Sequence, residues 1–134
     1  MLDVIQISYH EHYADDNFEL LQLFAPHAKR VQGVKGIFEA HKAAAKLAET
    51  QNFYVIDADA IIDEQFNFNF VPSRNRDQWP GVPESTCVYV WRSVNPINDL
   101  LYGYGGAKLF PRKAVLDAET FNVDMTTTLG CPFV

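Results

Sequence analysis

Asp57 and Asp59 are the residues of this chain whose type and spacing best suit chemistry. They follow four apolar residues, Phe53-Tyr54-Val55-Ile56, and precede Ala60-Ile61-Ile62, so two carboxylates fall at the end of what reads as a buried strand. Burying an ionised carboxylate is costly unless a cation or hydrogen-bond donors meet it. Two hard oxygen donors one residue apart suit Mg2+ or Mn2+, and Mg2+ characteristically takes one or two carboxylates together with substrate phosphates. A metal held there would neutralise a diphosphate as it binds and as it leaves. The competing reading is local: the two side chains accept backbone N–H groups and cap a turn.

Further along, Tyr102-Gly103-Tyr104-Gly105-Gly106-Ala107-Lys108 admits close backbone approach and positive φ. With Lys108 beside it, this segment could line a sugar or diphosphate, or it could be a plain tight turn. It is not a P-loop, because no Gly-Lys-Ser or Gly-Lys-Thr follows. Nor is it a dinucleotide fingerprint, since it precedes a strand-like segment and not a helix. His10 and His12 flank Glu11 at the end of the first expected strand and point toward the same edge as Asp57. His41, on an alanine-rich helix, reads as a packed or surface histidine. Asp99 and Asp124 each suit a general base or a turn cap. No Ser, His and acid pattern for acyl transfer stands out.

The elements that must position these residues follow from periodicity. Val4-Ile5-Gln6-Ile7 predicts a short, mostly buried strand. After a polar stretch, Asp15 or Asp16 can N-cap a helix through about Phe24 that buries Phe18, Leu21 and Phe24 and is stopped by Pro26. Residues 28–31 predict a second strand. Gly33 and Gly36 open a helix over residues 37–49, with Ile37, Ala40 or His41, Ala44, Leu47 and Ala48 on one face. The strand 53–56 follows at once. Strand, helix, strand, helix, strand implies a parallel sheet with helices on its faces, whose ligands bind outside the carboxyl ends of the strands. Phe66, Phe68 and Phe70 alternate with Asn67 and Asn69, which predicts a half-buried strand, and residues 87–91 predict another, with a loop over 72–84 between them. A nucleotide-binding-like α/β half, residues 1–63, is thus joined to a more antiparallel half, residues 64–134, in one domain.

Length and composition agree. A chain of 134 residues has room for one ordinary core, and its 48% hydrophobic and 13% aromatic content is that of a globular protein. No apolar run approaches the roughly 18–20 residues of a membrane span, and no Lys or Arg precedes the first apolar run as in a secretory signal. A cytoplasmic protein is therefore expected. Cys87 and Cys131 read as unpaired thiols. The net charge of −6 argues against a general nucleic-acid-coating protein. Lys29, Arg30, Lys35, Lys42 and Lys46 form either a solvated face or a positive wall beside a phosphate.

The segment "KGIFEAHKAAAKLAETQNFYVIDADAII" followed by "YGYGGAKLFPR" resembles the nucleotide-diphospho-sugar glycosyltransferases of the GT-A fold. That family carries an Asp-x-Asp at the end of a sheet strand and a glycine-rich acceptor-side loop. "ISYHEHYADDNFELL", "AKRVQGVKGI" and "WRSVNPINDLLYGYGGAKLFPR" are similar, more specifically, to glycosyltransferases of tailed bacteriophages that add sugars to hydroxymethylated pyrimidines of phage DNA. The likeness covers roughly residues 2–128.

The resemblance implies a GT-A-like mixed sheet flanked by helices, in a short version. It implies that Asp57 and Asp59 hold Mn2+ or Mg2+ against a nucleotide diphosphate, and that Lys35 contacts the nucleotide or a phosphate. Gly105, Gly106 and Lys108 would border the donor sugar and acceptor. Asp99 or Asp124 would be the base of an inverting mechanism, whereas a retaining one needs no such residue. The location implied is the cytoplasm, that of the host if the chain is phage-encoded. Enzymes of this fold are commonly longer, so a non-catalytic nucleotide-sugar-binding or interaction domain on the same half-fold is the second expectation. A DNA acceptor has only Lys108, Arg112 and Lys113 as a small basic patch. A third reading takes "VIDADA" as an aspartyl-phosphate phosphatase motif; its position after two βα units and the absence of a following Gly-Thr argue against it.

Overall fold

The computed structural model describes residues 1–62, 66, 68, 88–91, 93–94, 101–102 and 106–118. Its elements are β1 (Asp3–Ser8), α1 (Ala14–Phe24), β2 (Lys29–Gln32), α2 (Ile37–Leu47), β3 (Asn52–Asp57), β4 (Tyr89–Val90), β5 (Ser93–Val94), β6 (Leu101–Tyr102), β7 (Ala107–Pro111) and α3 (Arg112–Asp117). Five of the strands form one sheet in the order β2-β1-β3-β7-β4, and β5 pairs with β6 separately. β1 runs parallel to both β2 and β3, whereas β7 runs antiparallel to β3 and to β4. The change from parallel to antiparallel pairing therefore occurs at β3. The chain is a mixed α/β fold, with parallel pairing among β1, β2 and β3 and antiparallel pairing in the described strands that follow them.

Handedness explains the layers. The crossover from β1 to β2 steps outward, and the crossover from β2 to β3 steps back past β1, so right-handed connections put α1 and α2 on opposite faces. The alternation of side chains along each strand matches this. Val4, Tyr54, Ile56 and Leu109 pack with Leu21 and Ala25 of the α1 layer. Ile5, Phe53, Val55 and Phe110 pack with Ala44, Ala45 and Ala48 of the α2 layer. Phe53, Tyr54 and Phe110 are fully enclosed, and burying side chains of this kind stabilises by about 1.5–3 kcal/mol each.

The helix faces differ from the periodicity in detail. α1 buries Ala14 and Leu21, with Phe18 partly covered, while Phe24 is 42% exposed and the buried contact at that end is Ala25. The residue capping α1 is Tyr13, with no side-chain cap; Asp15 and Asp16 lie inside the first turn, where the helix dipole favours negative charge. α2 turns Ala40, His41, Ala44 and Ala45 to the sheet, leaving Ile37 57% and Leu47 39% exposed. Alanines thus make up most of the α2 face that meets the sheet, and Ile37 and Leu47 lie away from it. His41 is a packed histidine: its Nδ1–H donates to the Ile37 carbonyl at 2.8 Å and its ring meets Phe110 edge-on at 5.2 Å.

Phe66 and Phe68 share a side, as their alternation predicts, and both rings pack on Tyr54, at 6.0 and 5.2 Å. Neither lies in a strand; Phe68 is in a turn. Phe70, Asn67, Asn69, the loop over 72–84 and both cysteines lie outside the described residues. Arg112 ties β7 to α2, its Nε donating to the carbonyls of Ala45 and Ala48 at 2.9 and 2.7 Å. These are carbonyls the last turn of a helix leaves without partners.

Candidate functional site

β3 is enclosed from Asn52 to Ile56 and emerges at its final residue, Asp57, which is half-buried. Asp57 pairs across the parallel ladder with Ile7, so the carboxyl ends of β1 and β3 lie together. Strand alternation places the Asp57 side chain on the α2 face. A turn follows, closed by the Ala60 N–H donating to the Asp57 carbonyl at 3.0 Å. Ala58 is buried and Asp59 exposed. Backbone alone closes this turn: among the described residues no hydrogen bond engages either carboxylate. The two acids are therefore not the turn's caps.

The turn is gripped from both sides. From α1, the Asn17 side-chain amide donates to the Ala58 carbonyl at 2.7 Å. From the glycine-rich segment, the Gly106 carbonyl accepts the Asp57 N–H at 2.9 Å. Gly106 also lies so close that a Cβ built on it would fall 2.5 Å from the Ala60 Cβ and 3.8 Å from the Asp57 Cβ. Its φ is not in the left-handed region, so the requirement for glycine here is one of space. β7 then starts at Ala107, and Lys108 pairs with Val55, two residues before Asp57 and on the same face.

A cleft of about 380 Å³ opens beside the turn. Its walls come from the end of β1 (Ser8, Tyr9), the loop behind it (Glu11, Tyr13), the start of α2 (Gly36, Ile37) and the Asp57–Asp59 turn, over an apolar floor of Ile7, Val34 and Ala40. Gly36 caps α2 with φ 93°, a conformation L side chains rarely adopt. The Tyr9 N–H donates to Glu11 Oε1 at 2.6 Å, which folds the loop over the strand end.

The electrostatics are acidic. Burial raises the Asp57 pKa above the usual carboxylate value; Lys108 opposes the shift, and Asp59 and Glu11 add to it. Loss of solvation, then Asp59 and Glu11, push the Tyr13 phenol up, so it stays protonated at neutral pH and remains a hydrogen-bond donor. A divalent cation would relieve the repulsion felt at Asp57. Among the described residues no group of three or more His, Cys, Asp or Glu could hold a metal by itself. Two hard carboxylates, completed by phosphate oxygens and water, nevertheless fit the requirements of Mg2+ or Mn2+.

The structure thus brings together Asp57, Asp59, Gly106 and Lys108. Lys35 is exposed and does not line the cleft, although its neighbours Val34 and Gly36 do. Gly105, Asp99 and Asp124 lie outside the described residues. His10 and His12 are exposed, their rings against Tyr9 and Tyr13, and do not line the cleft. Of the basic run, Lys29 reaches the Leu47 carbonyl and Lys42 the Leu116 carbonyl, whereas Arg30 pairs with Asp15 at 2.7 Å and its Nε donates to Ser8 Oγ at 3.4 Å, behind the cleft wall; none of the three lines the cleft. The small basic patch is also partly engaged, Arg112 with α2 and Lys113 with Asp117 at 3.3 Å. Tyr9, Glu11, Tyr13 and Asn17 are site residues that pattern reading missed. Their signal was positional: the polar stretch after β1 must lie at the same sheet edge as Asp57.

No family model, curated protein or solved structure matches the chain. Among the described residues no helix is long and apolar enough to cross a membrane.

Proposed function

We propose that this protein is a metal-dependent glycosyltransferase with a GT-A-like domain, taking its sugar from a nucleotide diphosphate. Its acceptor would be hydroxymethylated bases of phage DNA, and its place of action the cytoplasm of the host. The observation that carries the reading is the Asp57–Asp59 turn at the carboxyl end of β3, its carboxylates free of capping duty, forming one wall of a nucleotide-sized cleft.

Asp57 and Asp59 would hold Mn2+ or Mg2+, and the ion supplies charge neutralisation for the departing diphosphate. The chain's own groups supply the rest. The apolar floor suits the flat face of a base, while Glu11 can accept from hydroxyl groups and the Tyr13 phenol can donate. Lys108 puts positive charge on the Asp57 side of the site. In an inverting transfer the acceptor hydroxyl oxygen bonds to the anomeric carbon as the bond to the diphosphate oxygen breaks. The hydroxyl proton passes to a carboxylate, for which the resemblance offers Asp99 and Asp124; a retaining transfer would need neither.

The reading is tested by incubating the chain with a panel of nucleotide sugars, Mn2+ and hydroxymethylcytosine-containing DNA, then weighing the nucleosides by mass spectrometry. A hexose-sized mass increase, abolished by chelator, is the expected result. Neither transfer nor donor hydrolysis with any sugar would overturn the enzymatic reading. Metal-dependent donor binding without turnover would instead select a non-catalytic nucleotide-sugar-binding domain.

A further inference from the structure

We infer that Asn17 is a positioning residue for Asp59: its side-chain amide fixes the peptide unit from which Asp59 departs. The inference rests on the reading of Asp57 and Asp59 as metal ligands. Asn17 stands in the first turn of α1, its own N–H donating to the Tyr13 carbonyl at 3.0 Å, so the helix fixes its backbone. Its Nδ2 donates to the Ala58 carbonyl at 2.7 Å, a contact between residues 41 apart in the chain. That carbonyl belongs to the peptide linking Ala58 to Asp59. Holding its plane sets the direction in which the Asp59 Cα–Cβ bond leaves the turn.

The two acids differ in what else holds them. Asp57 is anchored by the β1 ladder, by its N–H to Gly106 and by partial burial. Asp59 is exposed, and among the described residues its carboxylate accepts no hydrogen bond. Its placement therefore comes from the turn's backbone, and Asn17 is the side chain that grips that backbone beside it. Groups that orient a metal ligand without touching the metal typically contribute about 10- to 100-fold to its affinity.

The test is a titration of the full chain with Mn2+, followed by the electron paramagnetic resonance of the free ion, on wild type, Asn17→Ala and Asn17→Asp. Melting curves are recorded alongside. Asn17→Asp keeps the side chain's size but removes its donor, and it adds a negative charge that by attraction alone would tighten a nearby cation. At least a tenfold loss of Mn2+ affinity in both variants, with a cooperative melt retained, is expected. Mn2+ affinity within twofold of wild type in either folded variant would overturn the inference and leave Asn17 a structural contact. Loss of the cooperative melt in both variants would overturn it too. Failure of the wild type to bind Mn2+ both alone and with a nucleoside diphosphate present, read against a protein-free control, would instead overturn the underlying reading of Asp57 and Asp59.

Discussion

Replacing Gly106 by alanine sets a methyl carbon 2.5 Å from the Ala60 Cβ, where carbon atoms prefer about 3.5–4.0 Å. Both carbons are fixed directly to backbone, so no rotamer change relieves the clash. Either the Asp57–Ala60 turn or the start of β7 must shift. Overpacking of this kind costs about 1–3 kcal/mol. For a chain of this length each kcal/mol lowers the melting temperature by about 3–5 °C. The compensating change is Ala60→Gly, after which the nearest neighbours of the new methyl group are the Ala60 Cα at 3.6 Å and the Asp57 Cβ at 3.8 Å, both ordinary contacts. Urea unfolding of wild type, the two single variants and the double variant gives the cycle. The double variant should be more stable than the sum of the single effects implies, by about 1–2 kcal/mol. Stability of Gly106→Ala within about 0.5 kcal/mol of wild type, or strict additivity, would refute the close approach of Gly106 to the acidic turn.

Two further outcomes concern charge. Asp57 is held above the usual carboxylate pKa, so its ionised form destabilises the fold, and that destabilisation grows as pH rises through the folded value. Asp57→Asn should therefore melt higher than wild type at pH 7, with the gap closing in acid, while losing metal binding; a lower melting temperature at pH 7 contradicts this. Asp3 behaves in the opposite way. Burial raises its pKa, but the N–H groups of Glu49 and Thr50, at 2.6 and 3.2 Å from Oδ2, together with Lys29 and His27, leave it below the ordinary carboxylate value it has in the unfolded chain. Its stabilisation is complete above that unfolded value and is lost as pH falls through the folded one. Asp3→Asn should cost about 1–2 kcal/mol at pH 7 and little at pH 2, read by urea unfolding at both.

Much of this arrangement was legible in the sequence, for physical reasons. β1 and β3 are short apolar runs that must be buried on both faces, and the helices between them force parallel pairing. Together these place Asp57 at a carboxyl edge. Helix faces were partly legible: for α2 the period gave Ala40, His41, Ala44 and Ala48, which are buried, but it also put Ile37 and Leu47 on that face, where the structure leaves them exposed and buries Ala45 instead. The glycine segment illustrates the same limit. The glycines were evident in the sequence, but that a side chain at Gly106 would meet Ala60 depends on the antiparallel register of β7 on β3. Asn17 left no pattern at all, since one polar residue in an amphipathic helix is ordinary until the fold sets a carbonyl beside it.

On the proposed reading, Asp57 and Asp59 meet a divalent cation and, through it, a diphosphate. Isothermal titration of a panel of nucleotide-diphosphate sugars into wild type and Asp59→Ala, each with Mn2+ and with chelator, tests it most directly. Binding of one donor that requires Mn2+ and disappears in Asp59→Ala is the expected result. Donor binding that survives chelator and the substitution, or no binding of any donor by the wild type, would contradict it.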